Sequence, residues 1–125
     1  NKSVESRVVS YLAEECPEFA EKLKLMSGRF VDPLPIIRNA VYAPEFRGSF
    51  SIKNVAPALL GEKYSYNGLD VGGGQEAQNA FDRLISPDTS VDEKEKLKAS
   101  MLAYCGQDTL AMAELVKWLQ RQVSE

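Results

Sequence analysis

The sequence predicts a mainly α-helical chain with at most one or two short strands. Apolar residues recur at three- and four-residue spacing in several segments, which is the period of an amphipathic helix. A short apolar start followed by an Asp-Pro pair, near residues 29–33, is the one segment typical of a brief strand or extended stretch. These helices either fold by themselves or pack on a sheet supplied by residues upstream of the chain.

The first two helices are predicted to form a hairpin. Residues 3–15 carry apolar side chains at helical spacing behind a candidate N-cap, Ser3. Pro17 breaks the pattern and is placed to open a second helix, which Gly28 would end. The apolar residues of the two helices are Val4, Val8, Tyr11, Leu12, Phe19, Leu23 and Met26.

The middle of the chain is predicted to alternate loops with short helices. After the brief strand and a short helix, a loop leads into a helix that Ser49 or Ser51 would cap and that Pro57 would kink or end. A second loop closes with three glycines at residues 72–74. Such a run allows close approach to a ligand or to another segment, or serves as a flexible connector into a helix over residues 75–85.

The longest predicted helix runs from Val91 to Val123. Residues 87–90 form a turn and cap, and the acidic residues at 92, 93 and 95 suit the positive end of a helix.

The composition excludes several classes of chemistry. The chain has 125 residues, 44% of them hydrophobic and 26% charged, which excludes a collagen, a disordered tail and a membrane-spanning bundle. Its formal charge is −3, so no general positive field attracts a polyanion. It contains 0 histidines, which removes imidazole bases and His-ligated zinc. Cys16 and Cys105 are too far apart for a Cys-x-x-Cys site, so a reducing, cytoplasmic compartment is expected.

The start of the chain predicts a piece of a longer protein without a membrane anchor. The sequence begins at Asn1, and residues 1–15 are too charged for a signal peptide. No apolar run approaches the roughly 18 residues that a membrane helix needs.

Asp108 is the residue of the last helix that most needs an explanation. On a helical wheel it lies on an apolar stripe formed by Leu97, Met101, Tyr104, Cys105, Met112, Leu115 and Leu119. Burying an unpaired carboxylate costs several kcal/mol, so Asp108 requires an arginine, a set of N–H donors or a metal as its partner. Tyr104 lies one turn earlier on the same face. Gly106 lies between them, although glycine costs about 1 kcal/mol inside a helix, and this favours close approach by a backbone or ligand.

Other residues have both a functional and a structural interpretation. Arg47 and Lys53 flank a loop and either contact a phosphate backbone or are solvated surface charges. Four aromatic residues either stack bases in a single-strand groove or form a satellite core, namely Phe46, Phe50, Tyr64 and Tyr66. Cys105 is predicted to be a small buried hydrophobe rather than a nucleophile.

The segment YCGQDTLAMAEL resembles the third motif of the tyrosine subclass of DEDD 3'-5' exonucleases, the DnaQ-like superfamily with a ribonuclease H-like α/β fold. The opening NKSVE is similar to that superfamily's second motif, with Val4 and Glu5 in place of an aromatic residue and an aspartate. Asn1 occupies the motif's asparagine position. The chain more closely resembles an uncharacterised bacterial family, the domain of unknown function numbered 2779, in segments such as RFVDPLPIIRNAVY, FRGSFSIKNVAPAL and YCGQDTLAM.

The exonuclease resemblance implies a two-ion mechanism with Mg or Mn at the scissile phosphate. Carried over by position, Asp108 and Glu5 are metal ligands and Tyr104 orients the attacking water. The implied partners are DNA or RNA 3' ends, which Arg47 and Lys53 would help to hold. Carboxylate ligands suit these hard cations.

The departures from the family pattern limit what the chain is expected to do alone. The first motif, Asp-x-Glu on the first strand, would lie upstream of Asn1 and is not in the chain. We therefore expect residues 1–125 to be one domain fragment, C-terminal in an α/β ribonuclease H-like domain, with two of four carboxylates and no activity by itself. The alternative is a non-catalytic helical binding or assembly module in which Asp108 pairs with an arginine.

Overall fold

The computed structural model describes residues 2–123, so Asn1 lies outside the described residues. The chain divides into two compact units, Asn1–Val41 and Tyr42–Glu125. The described residues form six α-helices and no strand, which confirms a mainly helical chain. The helices are α1 Lys2–Glu15, α2 Ala20–Ser27, α3 Leu34–Ala40, α4 Ile52–Leu60, α5 Gly74–Ile85 and α6 Val91–Gln122.

In the first unit, α1 and α2 pack against each other, as the predicted hairpin requires. Pro17–Phe19 forms a 3-10 turn that leads into α2, and Gly28 is the residue at its C-cap. The predicted N-cap role of Ser3 is wrong because α1 already begins at Lys2. Ser3 therefore lies inside the first turn, where a side chain cannot occupy the capping position.

Of the brief strand or extended stretch predicted near residues 29–33, the strand does not form. Residues 30–33 have no regular structure, and none of residues 2–123 forms a strand with which they could pair. A single strand leaves its backbone groups without partners, so it is not stable alone. Leu34 N instead donates a hydrogen bond to Asp32 Oδ1 (3.0 Å), an Asx-type turn that precedes α3.

The second unit is built around α6. Both α4 and α5 pack against this helix. The buried core residues of the unit are Phe46, Val55, Ala56, Tyr64, Tyr66, Val71, Ala80, Ala111 and Leu115. Phe46 is completely buried and meets the rings of Tyr42 and Phe50 edge to face, at centroid distances of 6.0 and 5.7 Å. These contacts support the interpretation of Phe46 and Phe50 as a satellite core.

The helices of this unit begin near the predicted residues. Ser51 lies at the N-cap of α4, and Pro57 lies inside that helix without ending it. Ser90 caps α6, because its Oγ accepts a hydrogen bond from Glu93 N (3.3 Å). In residues 2–123, no helix is both long and apolar enough to cross a membrane.

The apolar stripe of α6 is narrower than predicted. Ala111 and Leu115 are buried, and Tyr104 and Asp108 are half-buried. Cys105 is exposed, so its predicted burial is wrong. Successive residues of an α-helix are rotated by about 100°, and Cys105 falls outside the face that α4 and α5 cover.

Candidate functional site

Asp108 receives a hydrogen bond from a tyrosine of a distant loop. The Tyr66 hydroxyl donates to Asp108 Oδ1 at 2.5 Å, across 42 residues of sequence. Tyr66 is 7% exposed and Asp108 is half-buried. This donor is a phenol, which was not among the expected partners of Asp108, namely an arginine, a set of N–H donors or a metal. The pairing of Asp108 with an arginine stays a prediction.

Tyr104 completes a cluster of two phenols around one carboxylate. Its ring lies edge to face with that of Tyr66, at a centroid distance of 6.2 Å. Burial first, then the hydrogen bond and the charge of Asp108, raises the pKa of Tyr66 far above the ordinary value of 10.0. Burial and the charge of Asp108 also raise the pKa of Tyr104. A phenol with a pKa of 10 or higher is protonated near neutral pH, so both hydroxyl groups can donate hydrogen bonds there.

The loop that carries Tyr66 is fixed to α6 by further hydrogen bonds. Gln107 Nε2 donates to the carbonyl oxygens of Ser65 (3.2 Å) and Lys63 (3.5 Å). Ser100 Oγ donates to Asp70 Oδ2 (3.1 Å) further along the same loop. Ser100, Gln107 and Asp108 of α6 therefore hold this loop in place, the last two from one turn and Ser100 from about two turns earlier.

A polar groove of about 1000 Å³ lies beside this cluster, within the second unit. Tyr66 lines it together with both of the basic residues that the sequence singled out, Arg47 and Lys53. Glu76 also lines the groove and is close enough for its charge to raise the pKa of Tyr104. Tyr66 is therefore common to the groove and the Asp108 cluster, whereas Tyr104 and Asp108 are not among the groove-lining residues.

Arg47 has an unusual backbone conformation for a residue with a side chain. Its φ is 52°, in the left-handed region, and it is the only non-glycine residue with positive φ among residues 2–123. This conformation costs about 1–2 kcal/mol for an L-amino acid with a Cβ. Glycine would avoid that cost, so the presence of arginine here is consistent with a use for its side chain.

Lys53 and the glycine run meet beside the groove, which both Lys53 and Gly72 line. A Cβ on Gly73 would lie 2.6 Å from Lys53 Nζ, so the ammonium group rests directly over this backbone. Gly72 N donates a hydrogen bond to Glu76 Oε2 (2.6 Å) at the start of α5. Of the two interpretations of the glycine run, the contact of Gly73 with Lys53 supports close approach by another segment.

The donor groups near Asp108 supply only part of a metal site. Its carboxylate and the neighbouring phenols are hard oxygen groups that suit Mg or Mn. Within residues 2–123, however, no group of three or more His, Cys, Asp or Glu side chains is arranged to hold a metal ion. Asp108 therefore fits the role of one ligand but not of a complete site. Glu5 is an exposed residue in the first turn of α1, in the first unit.

Two features of this site are not predicted from the sequence, namely Tyr66 as a donor and the contacts of Gln107. Glu76 is predicted only as one of three carboxylates, with Asp70 and Asp82, that no spacing argument brings together. The one available signal was Gln107, a polar side chain next to Asp108. Partners separated by more than 40 residues cannot be identified from helical spacing, which relates only neighbours on one helix.

Part of the chain matches a known protein family. A sequence profile of the family described as Domain of unknown function (DUF2779) matches residues 1–51. This supports the predicted similarity to that family, and the match ends before α4 begins. Neither the search of the curated proteins nor that of the solved structures found a match.

Proposed function

We propose that this chain is part of a metal-dependent 3'-5' exonuclease-like domain of ribonuclease H-like fold that acts on the ends of DNA or RNA. The observation that carries the proposal is the Tyr104–Asp108 pair, which lies on one face of α6 beside a groove lined by Arg47 and Lys53. A cytoplasmic location belongs to the proposal and is supported by the two free cysteines.

The Asp108 carboxylate has the properties of a ligand held in one orientation. Its Oδ1 accepts the Tyr66 hydroxyl, and the half-buried side chain keeps part of its surface accessible. A carboxylate oriented by a second hydrogen-bonding residue is the usual arrangement for a metal ligand. Tyr104, protonated and next to it, can hydrogen-bond a water molecule at the reacting phosphate.

The groove supplies the binding part of the proposal. Arg47 and Lys53 present two positive charges from separate elements of a chain whose net charge is −3. They can contact successive phosphates, and such contacts position a strand without reading its sequence. The groove residues Glu45, Glu62 and Glu76 are acidic, so strand binding is expected to be local rather than driven by a broad positive field.

Bound Mg or Mn would stabilise charge at the scissile phosphate and help to generate the attacking hydroxide. Of the residues in the second unit, Asp108 would hold the ion, and further carboxylates are needed. Glu5 is the candidate that the exonuclease resemblance adds, and its role is tested separately by Glu5→Gln.

A second candidate function is a non-catalytic binding module. The observation in its favour is that Asp108 already has a phenol donor and that the described residues form no acidic cluster suited to a metal. In that case the Asp108–Tyr66 bond is structural, and the groove binds a ligand without cleaving it.

The deciding experiment is degradation of a 5'-labelled single strand by the full-length protein that contains this chain. Reactions contain Mn or Mg, or EDTA as a control, and compare the wild type with Asp108→Ala and Glu5→Gln. Asp82→Ala is the matched control because Asp82 is an exposed carboxylate on α5. Shortening from the 3' end that requires metal and Asp108, but not Asp82, is the expected result. Absence of cleavage by a folded wild type that still binds the strand would favour the binding module.

Arg47→Gly tests the groove separately from the chemistry. Glycine relieves the left-handed strain, so we expect the free energy of unfolding to stay the same or rise by about 1 kcal/mol. Strand affinity, measured by fluorescence anisotropy, should fall because a phosphate contact is lost. Unchanged affinity in a stable Arg47→Gly protein would remove this residue from the proposed interface.

A further inference from the structure

We infer that Tyr66 is a positioning residue that couples Asp108 to the groove, so that the Tyr66–Asp108 hydrogen bond sets the affinity of the groove for a single strand. This inference rests on the proposed binding of nucleic acid in that groove. It assigns Tyr66 a role through its hydroxyl group, which is distinct from stacking of its ring on a base.

Tyr66 belongs both to the groove and to the Asp108 cluster. Tyr66 is one of the residues that line the groove, and its hydroxyl donates to Asp108 on α6. The residues on either side of it, from Ser65 to Leu69, line the same groove. A shift of Tyr66 therefore moves a continuous stretch of the wall and not one side chain alone.

The hydrogen bond between Tyr66 and Asp108 can fix the groove-lining stretch 65–69 in place. The hydrogen bond that the Tyr66 side chain makes from the groove-lining stretch has a carboxylate, that of Asp108, as its acceptor. Hydrogen bonds to charged groups are stronger than bonds between neutral groups. The Gln107 contacts reach only backbone oxygens, at 3.2 and 3.5 Å. The Ser100–Asp70 bond also ends on a carboxylate, but it is longer (3.1 Å against 2.5 Å) and lies beyond the groove-lining stretch. Loss of the Tyr66–Asp108 bond should therefore let this part of the wall move relative to Lys53.

The chain offers a closely matched control for the Tyr66 hydroxyl. Tyr64 lies two residues earlier and is also 7% exposed. Among residues 2–123, no hydrogen bond made by the Tyr64 hydroxyl has been identified, and its ring instead lies 4.9 Å from Lys63 Nζ. Tyr66→Phe and Tyr64→Phe therefore remove the same atom from equally buried side chains of one segment.

The experiment measures binding of a fluorescein-labelled oligothymidylate strand to the full-length protein by anisotropy, in EDTA so that no metal contributes. We expect Tyr66→Phe to weaken binding by about 3- to 30-fold, although it keeps the ring. Tyr64→Phe should bind as the wild type does. Asp108→Leu should weaken binding as Tyr66→Phe does, whereas Asp108→Asn, which keeps an acceptor oxygen but loses the charge, should weaken binding less than Asp108→Leu does.

The double variant Tyr66→Phe/Asp108→Leu decides whether the two residues act together. If they are coupled through one hydrogen bond, the double variant binds no more weakly than either single variant. Additive losses would overturn the inference, as would a Tyr66→Phe protein that melts at a lower temperature but binds the strand like the wild type. Asp108→Asn binding as weakly as Asp108→Leu would also contradict it.

The same data distinguish failure of the inference from failure of the proposed function. If the wild type does not bind the strand, the nucleic-acid groove itself is wrong and the inference falls with it. If the wild type binds and Tyr66→Phe binds equally well, only the coupling is wrong. Cleavage does not enter either outcome, because binding is measured without metal.

Discussion

The two units of the chain differ in how they use their apolar residues. In the first unit Val9 and Ile37 are the buried apolar residues of the described core, and much of the apolar surface of α1 and α2 is exposed, as at Val8 (52%) and Leu25 (69%). The second unit buries Phe46, Val55 and Leu115 almost completely. The second unit therefore has a closed core of its own, whereas the first is an open helical hairpin.

The family match and the candidate site overlap only in part. The profile matches residues 1–51, mostly the first unit, and these include Glu5 and Arg47. The other candidate residues lie beyond the match in the second unit, namely Tyr104, Asp108, Lys53 and Tyr66. A closed core is what holds a site in fixed geometry. We therefore expect substitutions in the second unit to have the larger effects on both stability and function.

The largest expected effect is that of Phe46→Ala. Phe46 is 0% exposed, and truncation of a buried phenylalanine costs about 3–5 kcal/mol. Phe19→Ala in the first unit removes a ring that is 51% exposed and should cost less than about 1.5 kcal/mol. Urea unfolding followed by circular dichroism measures both. Equal losses would mean that the first unit has a core as closed as the second.

Alkaline pH tests the Tyr66–Asp108 bond. The folded state raises the pKa of Tyr66 above the unfolded value near 10.0, so its contribution is complete below pH 10 and is lost as the pH rises through and beyond that value. The wild type should lose more unfolding free energy than Tyr66→Phe between pH 8 and pH 11. All other titrating groups are common to both proteins. A parallel loss in the two would show that Tyr66 titrates normally.

A smaller effect is expected at the start of α6. Ser90→Ala removes the acceptor for Glu93 N and should lower the free energy of unfolding by about 1 kcal/mol. Ser90→Asp restores an acceptor and should recover most of the loss. A fully stable Ser90→Ala protein would mean that tertiary packing alone fixes this end of the helix.

The smallest effect is expected on the exposed face of α1. Val8 is 52% exposed, so Val8→Ser should change the free energy of unfolding by less than about 0.5 kcal/mol. The measurement is thermal unfolding of the full-length protein. A loss above about 1.5 kcal/mol would show that this face is covered in that protein, and the contrast between the two units would then be smaller than described.

Local sequence signals predicted most helices well. Pro17, Gly28 and the Ser90 cap act through backbone geometry and hydrogen bonds within one turn, so their effects are visible without tertiary information. The strand predicted near residues 29–33 does not form, because a strand depends on contacts outside its own segment. Strand formation needs a partner, and the described residues provide none.

The sequence by itself determined that the chain is helical, that it lacks imidazole chemistry, and that Asp108 lies beside Tyr104 on a largely apolar helix face. Those properties follow from residue types and from the period of the helix. Only the tertiary structure decided that Tyr66 is the hydrogen-bond donor to Asp108 and that Arg47 and Lys53 line one groove. These residues are far apart in sequence, and only packing of α4, α5 and the intervening loop against α6 brings them together.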